Sequence, residues 1–400
     1  MKPSKGKSAK PQAKSLAKSR DNRTQASAAP AQGFKKSRPK FNKAENDFSA
    51  HAKRAPHVTT SEFTRPASEP VAAPALKRPT AEPAYANRPL LQNTGARPEQ
   101  NLPLILETLP SEDYALLDSG NSLKLEQYGP YRIVRPEAQA IWQPAWSQSE
   151  WDKADAIFTG NTDEEGMGRW QFPHKQLGET WPMAHKGVRF HGRFTSFRHV
   201  GVFPEQAAHW AFMADQIRAA RKAQPKRVVR VLNLFGYTGV ASLIAAEAGA
   251  EVTHVDASKK AINWARENQA MAGLDDKPIR WICEDATKFV AREERRGSTY
   301  DIILLDPPAY GRGPNGEIWQ LFDNLPQMVD MCRAILSPDA LSVVLTAYSI
   351  RASFFAIHEL MRDRFVGRGG LVESGELILR ERSADRALST SLFSRWIANS

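Results

Sequence analysis

The sequence predicts an open, doubly wound α/β sheet closed by a C-terminal antiparallel hairpin and preceded by a small β-rich domain and a disordered basic tail. Three observations carry that prediction. Apolar strand patterns alternate with helical ones from residue 228 to 308, a glycine turn breaks the first strand–helix junction, and three successive strands then end in a carboxylate.

The chain has 400 residues and a net charge of +11, and its first 60 residues hold fifteen basic and three acidic side chains. The basicity therefore belongs to the N-terminus and says nothing of the folded surface. Residues 1–100 are rich in Lys, Ala, Ser, Pro and Gln and cannot bury enough apolar surface to order themselves. They read either as a phosphate-seeking arm for RNA or as a solubilising extension. Residues 101–200 alternate short strands with turns, as expected of a small β-rich substrate-recognition domain. Five of the ten tryptophans fall there, where filling a small core is a plainer use than stacking on bases. Its last stretch, Arg189-Phe-His-Gly-Arg-Phe-Thr-Ser-Phe-Arg198, interleaves cations with aromatics. That pattern suits nucleic acid, and alternation on one strand also produces it.

Residues 201–400 carry the doubly wound sheet. Pro204 opens a helix whose Trp210, Met213 and Ile217 share one buried face. Strand 228–235 breaks at Gly236-Tyr-Thr-Gly239 into an alanine-rich helix over 240–248. Strand 251–256 ends in Asp256, twenty residues past Gly236, where such folds put the acid that grips a ribose. Ser258 is a natural N-cap for a helix over 259–272, with Gly273 as its stop. A third strand, 280–285, ends in Asp285, and a fourth, 300–306, runs into Asp306-Pro307-Pro308. The glycine-rich residues 309–316 predict a mobile loop over a substrate. A helix from near Asn324 with Pro326 in its first turn, a strand over 341–346, a helix over 354–364 and two closing strands, 371–379 and 392–397, complete the pattern.

The turn decides what the sheet edge holds. A dinucleotide pyrophosphate wants G-x-G-x-x-G, and Gly236-Tyr-Thr-Gly239 has neither that spacing nor its third glycine. A smaller anion, such as the carboxylate of S-adenosylmethionine (SAM), fits the turn and the helix N-terminus behind it. Asp256 would then accept the ribose hydroxyls and Asp285 the exocyclic amine of adenine. Cys283 and Cys332 are the only cysteines, so no disulfide framework or metal spacing exists, and a reducing cytoplasm is expected. No apolar run approaches a membrane span.

The motifs Gly201-Val-Phe-Pro-Glu-Gln206, Asn233-Leu-Phe-Gly-Tyr-Thr-Gly239, His254-Val-Asp-Ala-Ser258 and Asp306-Pro-Pro-Ala-Tyr-Gly311 resemble class I SAM-dependent methyltransferases related to the bacterial 23S rRNA guanine-N7 and cytosine-C5 enzymes. The resemblance covers roughly residues 104–398 and implies a Rossmann-like sheet. It implies that Phe235, Gly236, Tyr237, Thr238 and Gly239 lie against the methionine part of SAM. Asp256, with Ala257 and Ser258, would hold the ribose, and Asp285 with Ala286 would face the adenine. It also implies that Asp306 and the Pro307 carbonyl line the methyl-transfer pocket, with Gln206 near the cofactor. Asp306 would position or deprotonate the acceptor and Tyr310 would stack on a base.

Two departures shape the substrate expectation. Ala309 separates Pro-Pro from the aromatic that amino-directed enzymes place directly after it, and residues 346–350 lack the cysteine that cytosine-C5 transfer requires. The expectation is methylation of a base nitrogen in RNA, with ribosomal RNA as the partner and no metal. A protein or small-molecule acceptor, or a non-catalytic RNA-binding factor on the same fold, are the alternatives.

Overall fold

The computed structural model describes residues 89–160, 168–348 and 352–399. The basic stretch of the first 60 residues lies outside them. The chain opens with β1 (Glu99–Thr108), β2 (Tyr114–Gly120), β3 (Leu123–Tyr128), β4 (Tyr131–Pro136), a single-turn helix α1 (Gln148–Trp151), β5 (Ala156–Gly160), β6 (Gly168–Gln171), β7 (Thr180–His185) and β8 (Val188–Arg193). A 3₁₀ turn over Pro204–Gln206 leads into α2 (Ala207–Ala223), then β9 (Arg230–Leu234), α3 (Val240–Glu247), β10 (Glu251–Asp256), α4 (Lys259–Ala272), β11 (Ile279–Cys283) and α5 (Ala286–Arg296). The remainder is β12 (Ile302–Leu305), β13 (Tyr310–Arg312), β14 (Ile318–Gln320), α6 (Leu321–Ala334), β15 (Ser342–Tyr348), α7 (Phe354–Arg364), β16 (Leu371–Arg380) and β17 (Ala387–Ile397).

The main sheet has eight strands in the order β1-β16-β17-β15-β12-β9-β10-β11. From β9 the chain steps outward through β10 to β11, then crosses back to β12 and β15. The winding therefore reverses between β9 and β12, the place where open α/β sheets bind ligands. Alternation along each strand feeds two cores. On β12, Ile302 and Leu304 pack with Met213 of α2 and Leu243 of α3, while Ile303 and Leu305 pack with Phe289 of α5 and Met328 of α6. Each such fully buried side chain contributes about 1.5–3 kcal/mol. The antiparallel β16–β17 hairpin adds to β15, as the sequence predicts of a Rossmann-like methyltransferase sheet.

Four expectations need correction. Residues 89–98, counted in the disordered tail, are tied down: Leu91 N–H donates to Asp330 Oδ2 at 2.8 Å and Asn93 Nδ2 to the Arg364 carbonyl at 3.0 Å. The strand that follows them, β1, belongs to the main sheet, pairing in parallel with β16, and not to the small domain placed at 101–200. Residues 309–316 are no open loop either, because Tyr310–Arg312 pairs with Ile318–Gln320 as a short hairpin. Helix α6 then starts at Leu321, leaving Pro326 inside it; its missing N–H forfeits only the bond to the carbonyl of the solvent-exposed Phe322.

Strands β2 to β6 form a separate five-stranded sheet. Its inner face is charged. Arg135 makes a two-pronged contact with Glu126, Nε and Nη2 each donating at 2.8 Å, and Lys124 pairs with Glu137 at 3.2 Å. Burial alone would raise the Glu126 carboxyl, but Arg135 and Lys124 hold it below its usual range. Removing one partner of so buried a pair strands the other charge. Arg135→Leu is expected to lower stability by about 3–5 kcal/mol, read from the midpoint of urea unfolding.

Candidate active site

The carboxyl ends of the parallel strands make one edge. Along it the fold sets out Tyr348 (β15), Asp306 (just past β12), the glycine turn (past β9), Asp256 (β10) and Cys283 (β11). The turn is held in an uncommon conformation, with φ of 56° at Phe235, 52° at Tyr237 and 82° at Gly239. Side-chain-bearing residues in that region are strained, and such strain persists only when the surroundings over-determine it. Here they do. Gly236 N–H donates to the Val255 carbonyl at 3.1 Å, Tyr237 N–H to Asp256 Oδ2 at 2.9 Å, and Asn268 Nδ2 to the Thr238 carbonyl at 2.9 Å. Gly236 is required by space, since a Cβ there would lie 2.3 Å from His254 Cε1.

Asp256 also accepts the Ser258 N–H at 2.8 Å. Each carboxylate oxygen thus spends one lone pair on the backbone and keeps one for a ligand hydroxyl. Burial pushes its carboxyl above the usual range, and the two backbone donors oppose that. Ser258 caps α4 through the Ala261 N–H at 3.3 Å, and Ala257 is the half-buried residue between acid and cap. Asp285 caps α5, accepting the Lys288 N–H at 2.9 Å, with buried Ala286 opening the helix. Its second oxygen carries whatever it offers a ligand.

Between the turn and β15 lies a cleft open to solvent, with half-buried Asp306 among its lining residues. Gln206 Nε2 donates to Asp306 Oδ2 at 3.1 Å, and Thr346 Oγ1 donates to Gln206 Oε1 at 3.4 Å. The Asp306 carboxyl is pushed up to about 7, chiefly by burial and then by the charge of Glu205. Burial pushes Glu205 itself up to about 6 against the pull of Lys124 and Arg135. A carboxyl poised near neutrality is suited to accepting a proton.

Pro307 is buried behind Asp306, and the Pro308 carbonyl accepts Trp319 Nε1 at 2.7 Å, fastening Asp-Pro-Pro to the β13–β14 hairpin. Tyr310 sits on that hairpin, 43% exposed and outside the set of residues that line the cleft. The aromatic walls include Phe203, Phe235 and Tyr237 instead. Sequence reasoning missed Glu205 and Thr346; the first adjoins Gln206 in the same motif, whereas nothing in an apolar strand marks the second.

The cation–aromatic stretch is mostly structural. Arg189 donates to the Met271 carbonyl at 3.0 and 3.1 Å, Arg193 pairs with Glu267 at 2.6 Å, and Phe190 and Phe194 are buried. These contacts dock β8 on α4. Among the described residues no group of three His, Cys, Asp or Glu side chains could hold a metal ion, and no helix is long and apolar enough to cross a membrane.

The edge fits SAM. The turn leads into the N-terminus of α3, Asp256 has acceptors free for a diol, and Asp306 is among the residues lining the cleft beside the turn. Comparison with known proteins agrees. The model of the S-adenosylmethionine-dependent methyltransferase family matches residues 132–338. A SAM-dependent methyltransferase from Agrobacterium tumefaciens of known crystal structure is 63% identical, covering 77% of this chain and 98% of its own, with a TM-score of 0.74. Ribosomal RNA large subunit methyltransferase I of Shewanella denitrificans is 38% identical over 104 residues, 26% of this chain and only 23% of that enzyme's length. Ribosomal RNA large subunit methyltransferase K of Neisseria meningitidis is 22% identical over 271 residues, 64% of this chain and 71% of that protein. The matched span exceeds half of the chain and the Agrobacterium relative aligns along nearly its whole length, so the chain belongs to the S-adenosylmethionine-dependent methyltransferase family and is an enzyme that uses SAM.

Proposed function

We propose that this methyltransferase modifies a nitrogen of a base in ribosomal RNA, in the cytoplasm. The observation that carries the reading is the cleft beside the turn: it offers Asp306, Gln206 and Thr346 as polar groups and has no cysteine among its lining residues. Of the two cysteines, Cys332 is buried in α6 and Cys283 lies at the end of β11, three strands from Asp306. Attack on a cytosine ring carbon therefore lacks its nucleophile, whereas a nitrogen acceptor needs only alignment and a place for its proton. The names of the Shewanella and Neisseria relatives support RNA as the substrate class.

When bound, SAM supplies a methyl carbon already activated by the sulfonium charge. The turn from Phe235 to Gly239, Asp256 with Ala257 and Ser258, and Asp285 with Ala286 would hold it. Gln206 fixes the rotamer of Asp306, and Thr346 fixes Gln206. Transfer would exchange the sulfonium–methyl bond for a nitrogen–methyl bond, with Asp306 taking the N–H proton that the acceptor releases and the Pro307 backbone helping to orient the base. Alignment of this kind is worth up to about 7–11 kcal/mol in well-oriented systems. The basic N-terminus would add sequence-independent attraction to phosphate.

The test is mass spectrometry of nucleosides from ribosomal RNA of a strain lacking the protein, beside its parent and an Asp256→Ala strain. Loss of one N-methylated nucleoside in both altered strains is expected. An unchanged nucleoside profile would sink the RNA reading and point to a protein or small-molecule acceptor.

A further inference from the structure

Among the described residues, Arg198 is a buried cation without a counter-charge. It is 7% exposed, its Nε is buried with no hydrogen-bond partner, and it makes no ion pair with any described residue. The cations near it are compensated, Lys124 by Glu137 and Arg135 by Glu126. Leaving one buried charge unpaired is costly, so a fold that keeps one gains something from it elsewhere.

Its position says what. The guanidinium lies 5.8 Å from the centroid of the Tyr348 ring at the end of β15. Tyr348 is 5.4 Å from Phe203, which lines the Asp306 cleft, and the His199 ring sits beside both at 5.5 and 4.8 Å. Arg135 Nη1 donates to the Arg198 carbonyl at 3.0 Å, fixing the backbone that presents the side chain. Strand β15 flanks β12 on the side away from β9 and β10. The turn and Asp256 therefore lie to one side of Asp306 and Arg198 to the other. SAM held as proposed would lie on the first side, which leaves the second for the acceptor.

We infer that Arg198 receives a phosphate oxygen of the nucleotide presented to Asp306, with Tyr348 as the aromatic surface beside it. A guanidinium fork matches phosphate geometry, and the ion pair supplies the charge that Arg198 lacks. This assignment rests on the RNA reading and deepens it, because Arg198 would select acceptors carrying a phosphodiester over free bases.

The test compares the unaltered full chain with Arg198→Gln and Arg198→Lys, using ribosomal RNA from a strain lacking the protein as substrate. Initial rates are measured over RNA and salt concentration, and SAM affinity by calorimetry. Arg198→Gln is expected to raise KM for RNA roughly 10- to 100-fold. The slope of log kcat/KM against log salt should become shallower by about 1, the signature of one lost phosphate contact. SAM affinity should stay unchanged, and Arg198→Lys should recover part of the loss. If the glutamine variant does not fold, the lysine variant, which keeps the charge without the fork, carries the KM comparison. Weakened SAM binding with an unchanged salt slope overturns the assignment and gives the charge to the cofactor's carboxylate. Unchanged KM and slope overturn it in favour of a purely structural arginine. Transfer by the unaltered protein to no RNA at all overturns the RNA reading beneath it.

Discussion

Asp306→Asn is expected to lower kcat/KM by about 10²–10⁴-fold while leaving SAM binding intact, the range typical of a lost general base. Asparagine keeps the shape and can still accept from Gln206 Nε2, so the deficit isolates the proton acceptor. The pH profile sharpens the test. With Asp306 titrating at about 7, kcat/KM of the parent should climb through neutrality and level off above it, and the asparagine variant should be flat. Stability should move the opposite way. The folded-state value lies above the ordinary carboxylate range, so ionisation in the folded protein is disfavoured: the penalty is absent below about pH 4, grows between pH 4 and 7, and is complete above 7. That rise corresponds to at most ~4 kcal/mol, and solvent reaching the half-buried group reduces that to about 2. Above neutrality the inactive Asp306→Asn protein should therefore unfold later than its parent, a trade of stability for activity. A variant that loses activity with no gain in stability at pH 8 would count against a strained, ionised Asp306.

The second large effect is on cofactor affinity. Asp256→Ala is expected to weaken SAM binding by about 10²–10³-fold in calorimetry, since hydrogen bonds to a charged acceptor are worth roughly 1.5–3 kcal/mol each and two ribose hydroxyls would lose theirs. The same change frees the Tyr237 and Ser258 N–H groups, which now close the turn on Asp256. Asp256→Asn retains one acceptor for that latch and should fall between. Equal SAM affinity in Asp256→Ala and the parent would remove Asp256 from the cofactor site.

The central parallel strands were legible because their signals are local. Strand β10, helix α4 with its Ser258 cap and Gly273 stop, and α7 fall within the bounds that apolar period and capping chemistry predict. The acids at the sheet edge were legible for the same reason. What sequence could not show depends on distant partners. The destination of β1 is a strand some 270 residues later, and nothing in 99–108 names it. The β13–β14 hairpin is read as a glycine-rich loop because Trp319 must reach the Pro308 carbonyl to pin it. Arg198 hid among three similar arginines, and only the fold reveals that α4 engages two of them while the third lies past the end of β8, beyond its reach.

The pairing of β1 with β16 has a further consequence. The chain leaves the main sheet after β1, builds the β2–β6 sheet, and returns through the Pro204 turn, so the smaller sheet is an insertion with two stalks and no free end. It cannot swing as an appendage would, and a single proteolytic nick in one stalk would leave it attached. Nor is the larger part an autonomous module: cutting at residue 200 would remove β1 and lay bare the ten-residue edge of β16. An uncovered edge of that length recruits other chains. Domain transplantation in this family should therefore exchange the insertion between its stalks rather than sever the chain at its apparent boundary.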